Sequence, residues 1–215
     1  MDRDTGIAPE PGEPALRDEP HALISAHDHE SETQRINENA YTPRQRLLHW
    51  VVAALVALQL LVGLTIGNTL DIPGPHPGLA RLFAIHGGTG TLIFVLMAWR
   101  WSLRRARGVP PPPPPGTPED TTLLAHANHR AFYVVLLIMP VIGWFAVGAA
   151  GHNLSFFGIF AIPAPIGADP DAARFFGRLH AATAVGLVAA IAAHLAGVAY
   201  HTYVRRDGLL RRMLP

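Results

Sequence analysis

Apolar residues fall along this chain in four long blocks. They show neither the alternation of a half-buried strand nor the one-sided stripe of a soluble helix. The blocks cover about Gln45–Gly67, Leu82–Ser102, Leu124–Gly148 and Arg178–His201. A helix rises about 1.5 Å per residue, so roughly 20 residues cross a ~30 Å hydrocarbon core. Each block is long enough. A soluble all-helical core is the competing reading, and it needs a polar face that the middles of these blocks lack. The pattern therefore predicts an all-α membrane protein, a four-transmembrane-helix bundle over residues 41–215.

Residues 1–40 have no apolar period and are rich in Pro, Glu and Asp. They read as a disordered acidic N-terminal tail. His21, His27 and His29 in it are expected to be solvated, with a weak metal site as the alternative. No apolar segment follows Met1, so no cleavable signal peptide is expected, and the first span serves as its own insertion signal.

Charge divides the same way. The first 40 residues hold ten of the sixteen acids and three arginines, while residues 41–215 hold fourteen arginines and six acids, a balance of +8. Arg44 and Arg46 precede span one, Arg100, Arg104, Arg105 and Arg107 close span two, and Arg205, Arg206, Arg211 and Arg212 follow span four. With alternating helices all three clusters share one side. The positive-inside rule makes that side, and both termini, cytoplasmic. The loop with Asp71 and Arg81, and the loop with Asp169, Asp171, Arg174 and Arg178, then lie outside. The segment Ala149–Gly177 reads as a semi-apolar outer loop that caps what lies beneath. Pro110–Pro115 read as a stiff polyproline spacer, with a docking site for a proline-reading partner as the alternative. Pro140 is expected to kink span three.

The chain has no cysteine. That excludes disulfides, iron–sulfur clusters, Cys-based zinc sites and the C-x-x-C-H attachment of covalent haem. Nothing points to nucleic acid.

Histidines within the spans carry the candidate chemistry. Imidazole is costly in lipid unless something binds it. His180 and His194 are 14 residues apart, which is about 21 Å along a helix and within about 40° of one face. His86 shares the depth of His180, and His49 that of His194. Two facing pairs at two depths suit two bis-imidazole b-type haems. Zinc fits less well, because it takes three or four close ligands and each depth offers two. Hydrogen-bonded packing histidines remain the plain alternative. The glycines of "HGGTG" beside His86 admit either a porphyrin face or close helix packing.

Four stretches carry a resemblance: "YTPRQRLLHWVVAALV", "IHGGTGTLIFVLMAWRW", "LAHANHRAFYVVLLIMPVIGW" and "LHAATAVGLVAAIAAHLAGVAYHTYVRRDGLLRRML". Over about residues 41–215 the sequence resembles the bacterial cytochrome b561 family, four-helix di-haem proteins of the inner membrane. The resemblance implies His49 and His194 as ligands of a cytoplasmic-side haem and His86 and His180 as ligands of a periplasmic-side haem. It also implies a ubiquinone site with His201 beside it, although His201 reads equally well as an interfacial histidine. His126 and His129 match family histidines and are expected to be interfacial anchors, or neighbours of haem or quinone, rather than iron ligands. His76 and His152 read as solvated.

Bis-histidine iron passes electrons and does not bind oxygen. The resemblance implies superoxide oxidation at the outer face coupled to ubiquinone reduction. Arg81, Arg174 and Arg178 there either steer an anion or anchor the chain at the interface. Two other readings stand beside this one. In the first, the chain is a cytochrome b subunit relaying electrons between quinone and a partner dehydrogenase, hydrogenase or periplasmic cytochrome. In the second, it is a histidine-lined metal or ion transporter.

Overall fold

The computed structural model describes residues 41–70, 74, 76–107, 113 and 116–214. The acidic segment 1–40 with its histidines, Asp71, and all of the proline run but Pro113 lie outside them. Helix α1 spans Pro43–Leu70, α2 Leu79–Arg107, α3 Glu119–Ala149 and α4 Pro170–Ala199. All four are long and apolar enough to cross a membrane. Each begins before its apolar block, and polar side chains cap the starts of α1 and α4. Thr42 and Gln45 close a reciprocal box at the start of α1: the Thr42 amide donates to Gln45 Oε1 at 2.9 Å, and the Gln45 amide to Thr42 Oγ1 at 3.3 Å. Asp169 caps α4, accepting from the amides of Asp171 and Ala172 at 2.9 and 3.1 Å, with Pro170 at the first helical position. Hence α4 begins well before the expected end of the outer loop.

The core is a band of Leu48, Val52, Val56, Ile93, Met97, Tyr133, Leu136, Met139 and Leu187. It draws on all four helices. The helices do not pack equally, however. α1 packs on α2, α2 on α3, and α3 most extensively on α4. The α4 backbone stays apart from α1 and α2, and only 6% of its most apolar window is buried, against 22–33% in the other three helices. Pro140 lies inside α3, which runs through it unbroken.

The connection between α3 and α4 holds a feature that an all-α reading leaves out. Leu154–Phe156 and Phe160–Ile162 pair as a short antiparallel hairpin, Leu154 opposite Ile162. Its tip turns through Phe157 and Gly158, both at positive φ, and Phe156 stacks on Phe160 at 4.9 Å. The hairpin sits on α2. The Phe157 amide donates to the Ala84 carbonyl at 3.3 Å. A Cβ on Gly87 would stand 2.9 Å from the Ser155 carbonyl oxygen, and one on Gly88 2.5 Å from the Phe157 ring. Those two glycines of "HGGTG" thus admit the hairpin, not a second helix. Gly88→Ala is expected to force Phe157 out and to destabilise the fold by about 1–3 kcal/mol, as overpacking does. A lowered melting temperature in detergent checks this. Gly67→Ala, whose Cβ meets nothing within 4 Å, is the neutral control.

Trp144 Nε1 donates to the Pro163 carbonyl at 2.9 Å and the Asp169 amide to the Ala149 carbonyl at 2.8 Å, so the cap is tied to the end of α3. At the opposite, arginine-rich end the chain folds back. Arg46 Nη1 donates to the Leu214 carbonyl at 2.7 Å, and Trp50 Nε1 to the Met213 carbonyl at 2.8 Å. Arg104 and Arg105 lie over the rings of Tyr133 and Trp101, at 5.7 and 4.9 Å from their centres. Cations held against aromatic rings at helix ends are interfacial anchors.

Candidate functional site

Four half-buried histidines meet in two pairs across the separation between α4 and the α1–α2 pair. His86 of α2 faces His180 of α4, ring centres 6.0 Å apart. His49 of α1 faces His194 of α4 at 6.4 Å. The 14-residue spacing on α4 places one pair near each end of the bundle. Two imidazoles that bind one first-row metal ion from opposite sides, each nitrogen about 2 Å away, set ring centres about 6 Å apart. Both pairs have that spacing. Among the described residues no group of three or more His, Asp or Glu side chains converges as a metal site.

The outer pair is held by its surroundings. A Cβ on Gly63 of α1 would lie 3.1 Å from His86 Cε1, and one on Gly143 of α3 would lie 3.1 Å from His180 Cε1. Each ring is therefore seated against a glycine of the neighbouring helix. His180 Nδ1 donates to the Met139 carbonyl at 3.2 Å, which fixes the tautomer and leaves Nε2 as the free donor atom. His86 Nδ1 is buried without a hydrogen-bond partner. Beside it, Gln59 Nε2 donates to the His86 carbonyl at 3.0 Å.

The inner pair has more aromatic neighbours. Phe132 and His129 of α3 sit edge-on to His194, with centres 5.6 and 5.5 Å away, and Trp50 sits edge-on to His49 at 5.4 Å. His129 Nδ1 donates to the carbonyl of Ala125 on its own helix at 2.7 Å. His126 and His129 are both exposed, and His129 lies edge-on to His194. His201 is buried in a π-helical turn, Tyr200–Arg205, that continues α4. His152 is an exposed residue next to the hairpin. At the hairpin end of the bundle, Arg174 is ion-paired with Asp171. Arg81 and Arg178 are exposed.

Sequence reasoning missed Gly63, Gly143, Gln59, the Met139 carbonyl and Asp207. The glycines had a faint signal as lone small residues in apolar helices. A backbone carbonyl has none.

A family profile described as prokaryotic cytochrome b561 matches residues 40–215. This chain belongs to that family. Among curated relatives, cytochrome b561 homolog 2 of Escherichia coli (strain K12) is 30% identical over 166 residues, 77% of this chain and 86% of the relative. The probable superoxide oxidase CybB of Yersinia pestis is 27% identical over 81% of this chain and 96% of its own length. Cytochrome b562 of Cereibacter sphaeroides is 28% identical over 82% and 96%.

The chain is thus a multi-pass membrane electron-transfer cytochrome, of a family that binds b-type haem. The residues present fit that group. Both histidine pairs have the spacing of axial ligands, glycines back the outer rings, and α4 stands away from α1 and α2 where the pairs meet.

Proposed function

We propose that this cytochrome holds two b haems, one between His86 and His180 and one between His49 and His194. It passes electrons from the outer face to a quinone at the arginine-rich end. The observation that carries this reading is the existence of two separate histidine pairs at two depths of one bundle. Held by two histidines, each haem would supply one-electron storage. The chain's own residues do the rest. His180 is oriented by the Met139 carbonyl, and His86 is seated against Gly63. The arginine clusters at the His49 end support a cytoplasmic side there, with both termini. His201, buried at that same end, is the candidate quinone neighbour.

Superoxide oxidation is the reaction favoured at the outer face. Each of two superoxide ions gives up one electron and leaves as O₂. The two electrons and two protons turn ubiquinone into ubiquinol. Exposed Arg81 and Arg178, at the outer ends of α2 and α4, suit steering of a small anion; Arg174 is largely neutralised by Asp171. Arg178→Glu is expected to slow superoxide-dependent haem reduction by about tenfold at low salt, with the difference fading as salt rises. Stopped-flow mixing of oxidised protein with superoxide in detergent reads this. Haem that superoxide does not reduce contradicts the reaction.

The hairpin tip favours a second reading. Ile159 and Phe160 are 77% and 54% exposed at the outer face, beside α2 where it carries His86. An apolar tip there suits a partner redox protein, for which this chain is the cytochrome b subunit. A stable co-purifying partner, with no reaction toward superoxide, selects it.

A further inference from the structure

The buried group at the inner end is more than one histidine. A regular helix would carry residue 207 about 240° around from His201. Here the π-helical turn Tyr200–Arg205 ends in Arg206 at φ 53° and Gly208 at φ 74°. These two left-handed residues reverse the chain and return Asp207 onto His201. The Asp207 amide reaches the His201 carbonyl at 3.4 Å, and His201 Nδ1 lies 2.6 Å from Asp207 Oδ2. Both side chains are about nine-tenths buried, at 8% and 10% exposure.

The carboxylate is fully engaged. Arg205 Nε donates to Oδ2 at 3.1 Å, and the Leu209 amide donates to Oδ1 at 3.2 Å. Arg205 is itself fixed, its Nη2 donating to the Gly116 carbonyl at 2.9 Å. Burial alone would push the Asp207 carboxyl up. The His201 hydrogen bond, the Leu209 amide and Arg205 outweigh that and hold it below the usual carboxylate range. Asp207 is therefore an anion at neutral pH. An anion bonded to Nδ1 fixes the proton there and leaves Nε2 to exchange protons with something else.

An interfacial anchor has no use for such an arrangement. Anchoring needs an exposed amphipathic side chain, and His201 is buried. A buried imidazole oriented by a carboxylate is a proton-transfer unit. Two electrons reaching a quinone at this end must be matched by two protons, because the quinol has two new O–H bonds. The haems carry electrons only, so the protons must come through protein groups or water.

We propose that Asp207 is a positioning residue that makes His201 the proton donor to quinone on the arginine-rich side. This rests on the reading of that end as the quinone site. His201 gives a proton from Nε2 to a quinone oxygen with each electron and regains it from water on that side. Two such cycles form the quinol. Asp207 holds the Nδ1–H throughout and does not itself lose or gain a proton.

The test uses full-length protein in detergent, reduced with dithionite, freed of excess reductant, and mixed with decylubiquinone while haem reoxidation is followed. Asp207→Asn is isosteric and keeps an acceptor for the Leu209 amide. It is expected to lower the saturating reoxidation rate by about 10²-fold, within the range for loss of acid–base catalysis. The half-saturating quinone concentration and the reduced haem spectrum should not change. A solvent deuterium isotope effect should appear or grow, and Asp207→Glu should restore part of the rate. A merely structural Asp207 would change haem content or quinone affinity without an isotope effect, and that result overturns the proposal. Full-rate reoxidation in Asp207→Asn overturns it too. His201→Ala separates the two layers. If His201→Ala slows reoxidation while Asp207→Asn does not, the dyad fails and the quinone site stands. If His201→Ala has no effect, the placement of quinone at this end fails as well.

Discussion

Replacing His49 or His194 with alanine is expected to remove one haem per chain and leave the other in place. Each is one member of the inner pair, whose ring centres lie 6.4 Å apart. A single remaining imidazole would hold a haem from one side only, and His129 stands outside the His49–His194 pair, edge-on to His194. His129→Ala should therefore keep both haems. The outer pair sits elsewhere on α4, so its reduced spectrum should persist in His49→Ala. Haem per chain, with the spectrum of the remaining haem, checks all three variants. Loss of haem in His129→Ala with retention in His49→Ala would assign the inner pair to α3 and α4 instead.

Gly143→Leu should have an effect of similar size at the other end. A Cβ at this position already stands 3.1 and 3.2 Å from His180 Cε1 and Nδ1. Branched carbons beyond it have no room without moving the ring. Moving the ring breaks the bond to the Met139 carbonyl that orients it. Losing a partner that orients a metal-binding histidine costs about 10–100-fold in affinity, and the displaced ring adds to that. The outer haem should be lost or bound weakly, while the inner haem keeps its spectrum. Gly63→Leu should do the same through His86, from the opposite side of the pair. Titration of haem into haem-depleted protein, read as one tight and one weakened phase, measures it. Equal weakening of both phases would mean a general loss of packing rather than a local one.

Much of this was legible in the sequence because bilayer physics leaves few choices. Long apolar blocks must be helices, and arginines sort their ends. The 14-residue interval on one helix fixes two depths on one face, and the structure brings His180 to His86 and His194 to His49 across that face. Features made by chain reversal were not legible. The strands Leu154–Phe156 and Phe160–Ile162 are three residues each, too short for alternation to show. Their place on α2 gives Gly87 and Gly88 a use that neither a porphyrin face nor a neighbouring helix predicted. Asp207 was invisible for the same reason. Six residues from His201 is no helical neighbour, and only the turn through Arg206 and Gly208 brings the two together. Asp171 and Arg174 were legible as opposite charges in one near-neutral loop, and the structure pairs them across one turn of α4.

A two-site electron path through the bundle requires two haems per chain. A pyridine haemochrome assay on the purified full-length protein, with a dithionite-reduced-minus-oxidised spectrum, measures that number directly. Two b haems per chain, reducible by dithionite and distinguishable by redox titration, are the predicted result. One haem per chain, or none when haem is supplied during expression, would contradict a two-site electron path through the bundle.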